Sequence, residues 1–142
     1  MLHALARCIV QSDIKRVVYP VANGALRLLG EIRARNYDIR RTRVVASTGR
    51  GGSTWLAETV ASIPQSTVLW EPLHLGNNPE AVDHGFTWQN YIPDTDPALE
   101  KRAYLRDILT GRALSTRLLT SLEFRPSYLF TNGAYVAKFV NA

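Results

Sequence analysis

A chain of 142 residues, 46% hydrophobic and 20% charged, has the composition of one ordinary globular domain, which excludes collagen-like, disulfide-scaffold and disordered classes. The formal net charge is +5, and nine of the 17 Lys and Arg but only three of the 12 Asp and Glu precede Ala46, so the basic excess lies at the front. With Cys8 as the single cysteine no intrachain disulfide is possible, and His3, His74 and His84 lack the spacing of a two-histidine zinc motif; a reducing, cytoplasmic setting and no metal are expected.

No apolar run reaches the roughly 18–20 residues needed to span a bilayer. Gln11, Asp13, Lys15 and Arg16 interrupt the first candidate, and Arg27 and Glu31 the second. Over residues 2–35 apolar side chains recur at helical spacing, with Ala25, Leu28, Leu29 and Ile32 beside Arg27, Arg33 and Arg35. This predicts two helices broken near Tyr19-Pro20, because proline lacks the amide hydrogen that a helix interior uses. Residues 1–42 form a basic helical leader in this reading, and residues 43–142 the body of the domain.

The cluster Arg33, Arg35, Arg40, Arg41 and Arg43 leads into a strand over 44–47. A helix over 53–62, stopped by Pro64, and a strand over 67–70 follow. Val44-Val45 and Val68-Leu69 are continuously apolar, as in parallel strands buried on both faces. Residues 72–97, rich in proline, glycine and asparagine, read as a long irregular segment of the kind that carries function. Helical spacing returns over 98–109 and 113–122 with Gly111 between, Asn132-Gly133 reads as a turn, and residues 134–140 as a third strand. The expected class is α/β, a three-layer, P-loop-like fold with a central parallel sheet.

Between the first strand and its helix the chain reads Ser47, Thr48, Gly49, Arg50, Gly51, Gly52, Ser53, Thr54, Trp55. Glycines remove the Cβ atoms that would hold an anion away from the backbone, so N–H groups can converge on phosphate oxygens. The helix that follows offers free amides and a positive dipole end to the same anion. Ser53 and Thr54 add hydroxyl donors, and Arg50 a planar cationic fork. The nucleotide-triphosphatase pattern is not met, since Gly52 and not lysine precedes Ser53, and the dinucleotide pattern fails because Thr54 stands at its third glycine.

Arg50-Gly51-Gly52-Ser53-Thr54-Trp55 resembles the 5′-phosphosulfate loop of the sulfotransferase family, and Ser47-Thr48-Gly49 before it is most similar to the carbohydrate-type branch and its bacterial relatives. Trp70-Glu71-Pro72-Leu73 is similar to the aromatic-Glu-Pro-Leu element of that branch. The resemblance implies a P-loop-like domain that binds 3′-phosphoadenosine 5′-phosphosulfate through residues 47–55 and transfers its sulfuryl group to an acceptor hydroxyl or amine without a metal. It implies that Arg50 neutralises the leaving phosphate, and that Lys138, matching a lysine many members place beside that phosphate, assists. Phe139 and Val140 follow where cytosolic members have threonine and a catalytic histidine, so that mechanism does not transfer. The family's arginine-bearing strand end and downstream serine for the 3′-phosphate would follow the third strand; Arg125-Pro126 precedes it and is not given that role. The expectation is therefore the N-terminal portion of such a domain, inactive alone.

Glu71, at the carboxyl end of a strand, is the candidate base, with holding the loop backbone as its alternative role. His74 and the pair Asp83-His84 are secondary candidates. For Lys138 the alternative is a strand-end cation reaching solvent. Trp55 and Trp70 are expected in the core, and Trp88 is the better candidate for stacking on adenine or sugar. Two other readings stand beside the first: a P-loop phosphotransferase requiring Mg²⁺ and a nucleoside triphosphate, and a basic module that uses the arginines of 33–43 on nucleic acid or anionic lipid. Nucleic acid is not an expected partner of the enzyme itself.

Overall fold

The computed structural model describes residues 2–48, 51–88, 92, 95, 97–119, 125–131 and 133–141, with side chains from residue 18 to 140. In chain order the elements are α1 (Leu2–Ala34), β1 (Arg43–Thr48), α2 (Ser53–Ala61), β2 (Ser66–Trp70), the short α3 (Glu80–Asp83), α4 (Leu99–Leu109) and β3 (Ala134–Asn141), with 3₁₀ turns at Ile39–Arg41 and Pro126–Phe130. The three strands form a parallel sheet in the order β1-β3-β2, so the last strand in sequence is the central one. This is a small α/β fold, as the sequence pattern requires.

The period-two alternation of β3 divides the core. Val136 points with Val45 and Val68 toward Ala57 and Ala61 of α2, while Tyr135 and Ala137 point with Leu69 toward Tyr104 and Ile108 of α4 and toward Leu26 and Leu29 of α1. In α2 the buried positions Ser53, Ala57 and Ala61 recur every fourth residue, a narrow small-residue face that lets the helix lie close on the sheet.

α1 is held down by close approach. A Cβ at Gly30 would meet the carbonyl oxygens of Gly111 and Arg112, at 2.5 and 2.7 Å. Gly111 itself has φ +72° and lies against the Tyr135 ring, with no space for a side chain. Next to it runs a hydrogen-bond relay. The Tyr135 amide donates to Tyr37 Oη at 3.1 Å and Thr42 Oγ1 donates to the Leu109 carbonyl at 2.6 Å. Thr42 has thereby used its one hydrogen, so Tyr37 is the donor in the 2.9 Å Tyr37–Thr42 contact. The Arg33 guanidinium lies 4.9 Å over the Tyr135 ring.

Four expectations need correction. α1 runs unbroken through Pro20. Residues 18–20 are exposed, and the helix continues across the hydrogen bond that the proline cannot donate. Residues 113 and 116–119 lie in turns where a helix over 113–122 was expected, residues 120–122 lying outside the described ones. Their backbone groups bond elsewhere: Thr116 N donates to Asn23 Oδ1 and the Leu118 carbonyl accepts from Trp70 N, both at 2.8 Å. Val44 is 55% exposed, because α2 covers only the Val45 face of β1; Val68 and Leu69 of β2 are buried as expected. Trp55, expected in the core, is 71% exposed, since it lies on the side of α2 away from the Ser53, Ala57 and Ala61 face.

The 72–97 segment is less irregular than its composition implies. Asn78 is buried, and its Nδ2 donates to the Pro72 carbonyl and to Tyr104 Oη, each at 2.7 Å. His84 stacks on the Tyr104 ring at 4.2 Å, and Arg27 of α1 pairs with Glu80 of α3 at 2.9 Å. Residues 89–91, 93, 94 and 96 lie outside the described residues, as does Asn132 of the expected turn. Its partner Gly133 packs directly on the Gln65 backbone.

Two predictions follow from this packing. Gly111→Ala adds a methyl group where the Tyr135 ring already sits, at a backbone angle that alanine resists, and should lower stability by roughly 1–3 kcal/mol in urea unfolding; unchanged stability would contradict the packing. Burial pushes the phenols of Tyr104 and Tyr135 up to about 12. Folding therefore favours their protonated forms, and that stabilisation is complete below about pH 10 and lost as pH rises toward 12. Ultraviolet titration of the native protein at pH 11 should find phenolate on fewer tyrosines than the six in the chain, and denaturation should release the rest.

Candidate functional site

The carboxyl ends of the three parallel strands come together, which puts the turn after β1, the start of α2 and Glu71 after β2 on one edge of the sheet. Open α/β sheets bind ligands at this edge. At the turn, Gly51 N donates to the Thr48 carbonyl at 3.3 Å, and Gly52 takes φ +75° as the residue before α2. A Cβ at Gly51 would lie 3.2 Å from the Thr48 oxygen and close to the Ser47 side chain, so this glycine keeps the turn tight. Ser47 Oγ is buried without a hydrogen-bond partner among the described residues. Buried polar groups are usually hydrogen-bonded, and Ser47 Oγ shares its lack of a partner with Ser66 Oγ, Tyr135 Oη and Arg33 Nη1. Gly49 and Arg50 lie outside the described residues.

Lys138 occupies the centre. On β3 it has the parity of Val136, so its side chain leaves on the α2 face, in register with Val45 on one side and Trp70 on the other. It is 2% exposed, which overturns the solvent-reaching alternative. Its Nζ donates to Glu71 Oε1 at 2.7 Å and to Thr54 Oγ1 at 3.1 Å, and lies 3.9 Å from the centroid of the Trp70 ring. A buried ammonium needs counter-charge and hydrogen-bond acceptors, and here it has a carboxylate, a hydroxyl and an aromatic face. Residues from 54, 70–71 and 138, which are far apart in the chain, thus meet around one charge.

Glu71 has φ +43°, a left-handed conformation that an unbranched acidic residue adopts at a cost of about 1–3 kcal/mol. The strain turns the chain out of β2 and into a tight turn in which His74 N donates to the Glu71 carbonyl at 2.9 Å. Its backbone therefore fixes the entry of the 72–97 segment while its side chain answers Lys138. His74 is occupied within the same turn: its Nδ1 accepts from Asn77 N at 3.2 Å, and its ring meets Trp88 edge-on at 5.1 Å. His84 lies apart, on Tyr104. Among the described residues no group of three or more His, Cys, Asp or Glu is gathered as a metal would require, and no helix is long and apolar enough to cross a membrane.

Beyond Trp70 the surface opens into a cleft of about 320 Å³ lined by Trp70, Gly76, Asn77 and Arg117. Sequence reading missed Arg117. It sits in a stretch that reads as an amphipathic helix, and only the turn that replaces that helix presents it to the cleft. The only signal was its charge amid the buried pair Leu114 and Leu118. Trp70 was singled out for its aromatic ring, but its role as the face under Lys138 depends on the strand register.

Comparison with known proteins gives no match at the level of families, of curated sequences or of solved structures.

Lys138→Met should destabilise the fold by up to about 3–5 kcal/mol, because it leaves the Glu71 carboxylate without its partner. Combining it with Glu71→Gln should restore most of the loss. Chemical denaturation of the two variants measures this; equal stabilities for both would show that the pair is not coupled.

Proposed function

We propose that residues 47–55 bind the 5′-phosphosulfate of 3′-phosphoadenosine 5′-phosphosulfate, and that the chain belongs to a sulfotransferase acting on an acceptor hydroxyl or amine. In this reading the three-layer arrangement is P-loop-like and the turn after β1 is its anion cradle. The observation that carries the proposal is the buried Lys138 ammonium, bonded at once to Thr54 of the glycine turn and helix and to Glu71 of the aromatic-Glu-Pro-Leu element. The residues that resemblance alone singles out in three separate stretches of sequence are thus in contact.

Sulfuryl transfer forms a bond from the acceptor oxygen or nitrogen to sulfur and breaks the bond from sulfur to the bridging phosphate oxygen, which keeps the electron pair. The residues here suit the charges involved. Lys138 and the amides at the start of α2 face the oxygen on which negative charge grows, and Arg50 adds a second cation. Thr54 Oγ1, already accepting from Lys138, turns its own hydrogen toward the anion. Glu71 accepts from Lys138 through Oε1, which leaves Oε2 to take the acceptor's proton. Ser47 Oγ, buried and unpartnered, suits a further donor to the same anion.

Calorimetry tests the donor site. The chain should bind 3′-phosphoadenosine 5′-phosphate without added metal and in preference to ATP with Mg²⁺, and Thr54→Ala or Arg50→Ala should weaken that binding by about tenfold or more. In an active preparation, losing one such donor should lower turnover by about 10²–10³. Preference for ATP with Mg²⁺ would favour a phosphotransferase. Binding that survives Arg50→Ala unchanged would remove that residue from the site.

A further inference from the structure

α1 carries a surface that the sheet-edge site does not use. Val18, Val21, Ala25, Leu28 and Ile32 follow one another at alternating intervals of three and four residues, so they fall on one stripe of the helix. All five are exposed, and the four larger ones by more than half. The body packs on a different side of α1, against Leu26, Leu29 and Gly30. Over residues 18–21 every side chain is exposed, so this turn of the helix is open all round. We infer that the stripe is a membrane-docking face: α1 lies in the plane of an anionic lipid surface, its apolar side chains at the acyl-chain boundary and its bases among the headgroups. Neither the stripe nor its charge depends on the sulfuryl-transfer reading.

Charge selects the occupant. Nine bases and three acids precede Ala46, a net charge of +6, whereas the remaining residues carry eight bases and nine acids, a net charge of −1. The positive charge of the chain therefore belongs to α1 and the segment that follows it. Arg27 and Glu31 pair with Glu80 and Arg112 of the body. Arg35, Arg40 and Arg43 are exposed. Arg35 stands seven residues after Leu28 and three after Ile32, so it continues the stripe, where a long side chain can lay its stem on apolar ground and its guanidinium among phosphates. A second copy docked on the stripe would set this basic segment against itself. Nucleic acid would answer the charge but leave Val21, Leu28 and Ile32 in water. An anionic bilayer surface answers both, because it buries the apolar stripe and attracts each base that comes near it. Arg27, Glu31 and Arg35 along the helix suit one that lies on a bilayer and not one that crosses it.

Co-sedimentation of the full chain with lipid vesicles tests this. At about 0.15 M salt, phosphatidylcholine vesicles with about 30% phosphatidylserine should bind the chain about tenfold or more tighter than phosphatidylcholine alone, and about 0.5 M salt should remove most of that preference. Leu28→Gln with Ile32→Gln places good helix formers at exposed positions, so circular dichroism should stay native while vesicle binding weakens by about tenfold. Val21→Gln repeats the test where the helix is open all round and should weaken binding in the same direction. Arg35→Gln with Arg40→Gln should weaken binding to the anionic vesicles alone. Binding to neither vesicle, equal binding to both, or binding that survives all the glutamine variants of the stripe would overturn the inference. A native chain that sediments as a dimer, and becomes a monomer on Leu28→Gln with Ile32→Gln, would also overturn it, since a second copy then covers the stripe. So would tighter binding to duplex DNA or RNA than to the anionic vesicles at equal salt.

Discussion

A cation buried in the middle of a sheet must be answered by its surroundings, and the arrangement about Lys138 follows from that requirement. β3 is the central strand and Lys138 is buried on its α2 face, so the ammonium is left within reach of α2 and the end of β2. Thr54, Glu71 and Trp70 are the groups that satisfy it. The strained backbone at Glu71 becomes intelligible in that light. Left-handed geometry lets one residue end a strand, start a turn and aim its carboxylate back under the sheet edge. Such strain persists only where the surroundings over-determine it, and here the ion pair and the His74 turn both do so.

The opposite face of the sheet has its own constraint, made of close approach and not of charge. Gly30 of α1 lies on the Gly111–Arg112 backbone and Gly111 on the Tyr135 ring, and the relay from Tyr135 through Tyr37 and Thr42 to Leu109 ties β3 and the segment after α1 to α4. This face carries no candidate chemistry. It packs against the central strand, whose other face carries Lys138.

Much of this architecture is legible in the amino-acid sequence. The three strands, α2 and α4 follow from β-branched runs, helical spacing and the stops at Pro64 and Gly111, and the parallel sheet follows from their order. The residues that meet at the sheet edge were also named, because glycine turns and a Glu-Pro step are local signals. What failed was decided by tertiary contact. Residues 113–119 have helical periodicity, but Trp70 N and Asn23 Oδ1 claim their backbone groups. Trp55 is apolar, but the small-residue face of α2 is the one that packs. Lys138 reads equally well as a surface or a buried cation until the strand order places it in the centre, and strand order is not a property of any local stretch. Arg117 carried no pattern, because its position depends on the same turn that periodicity misread.

The central claim is that the turn after β1 and the start of α2 form an anion cradle coupled to Lys138. Amide and lysine side-chain NMR shifts on adding 3′-phosphoadenosine 5′-phosphate test it most directly. The account predicts the largest changes at Gly51, Gly52, Ser53 and Thr54 and at Lys138 Nζ. Shifts confined to the arginine-rich stretch of 33–43, with the glycine turn and Lys138 unmoved, would contradict it.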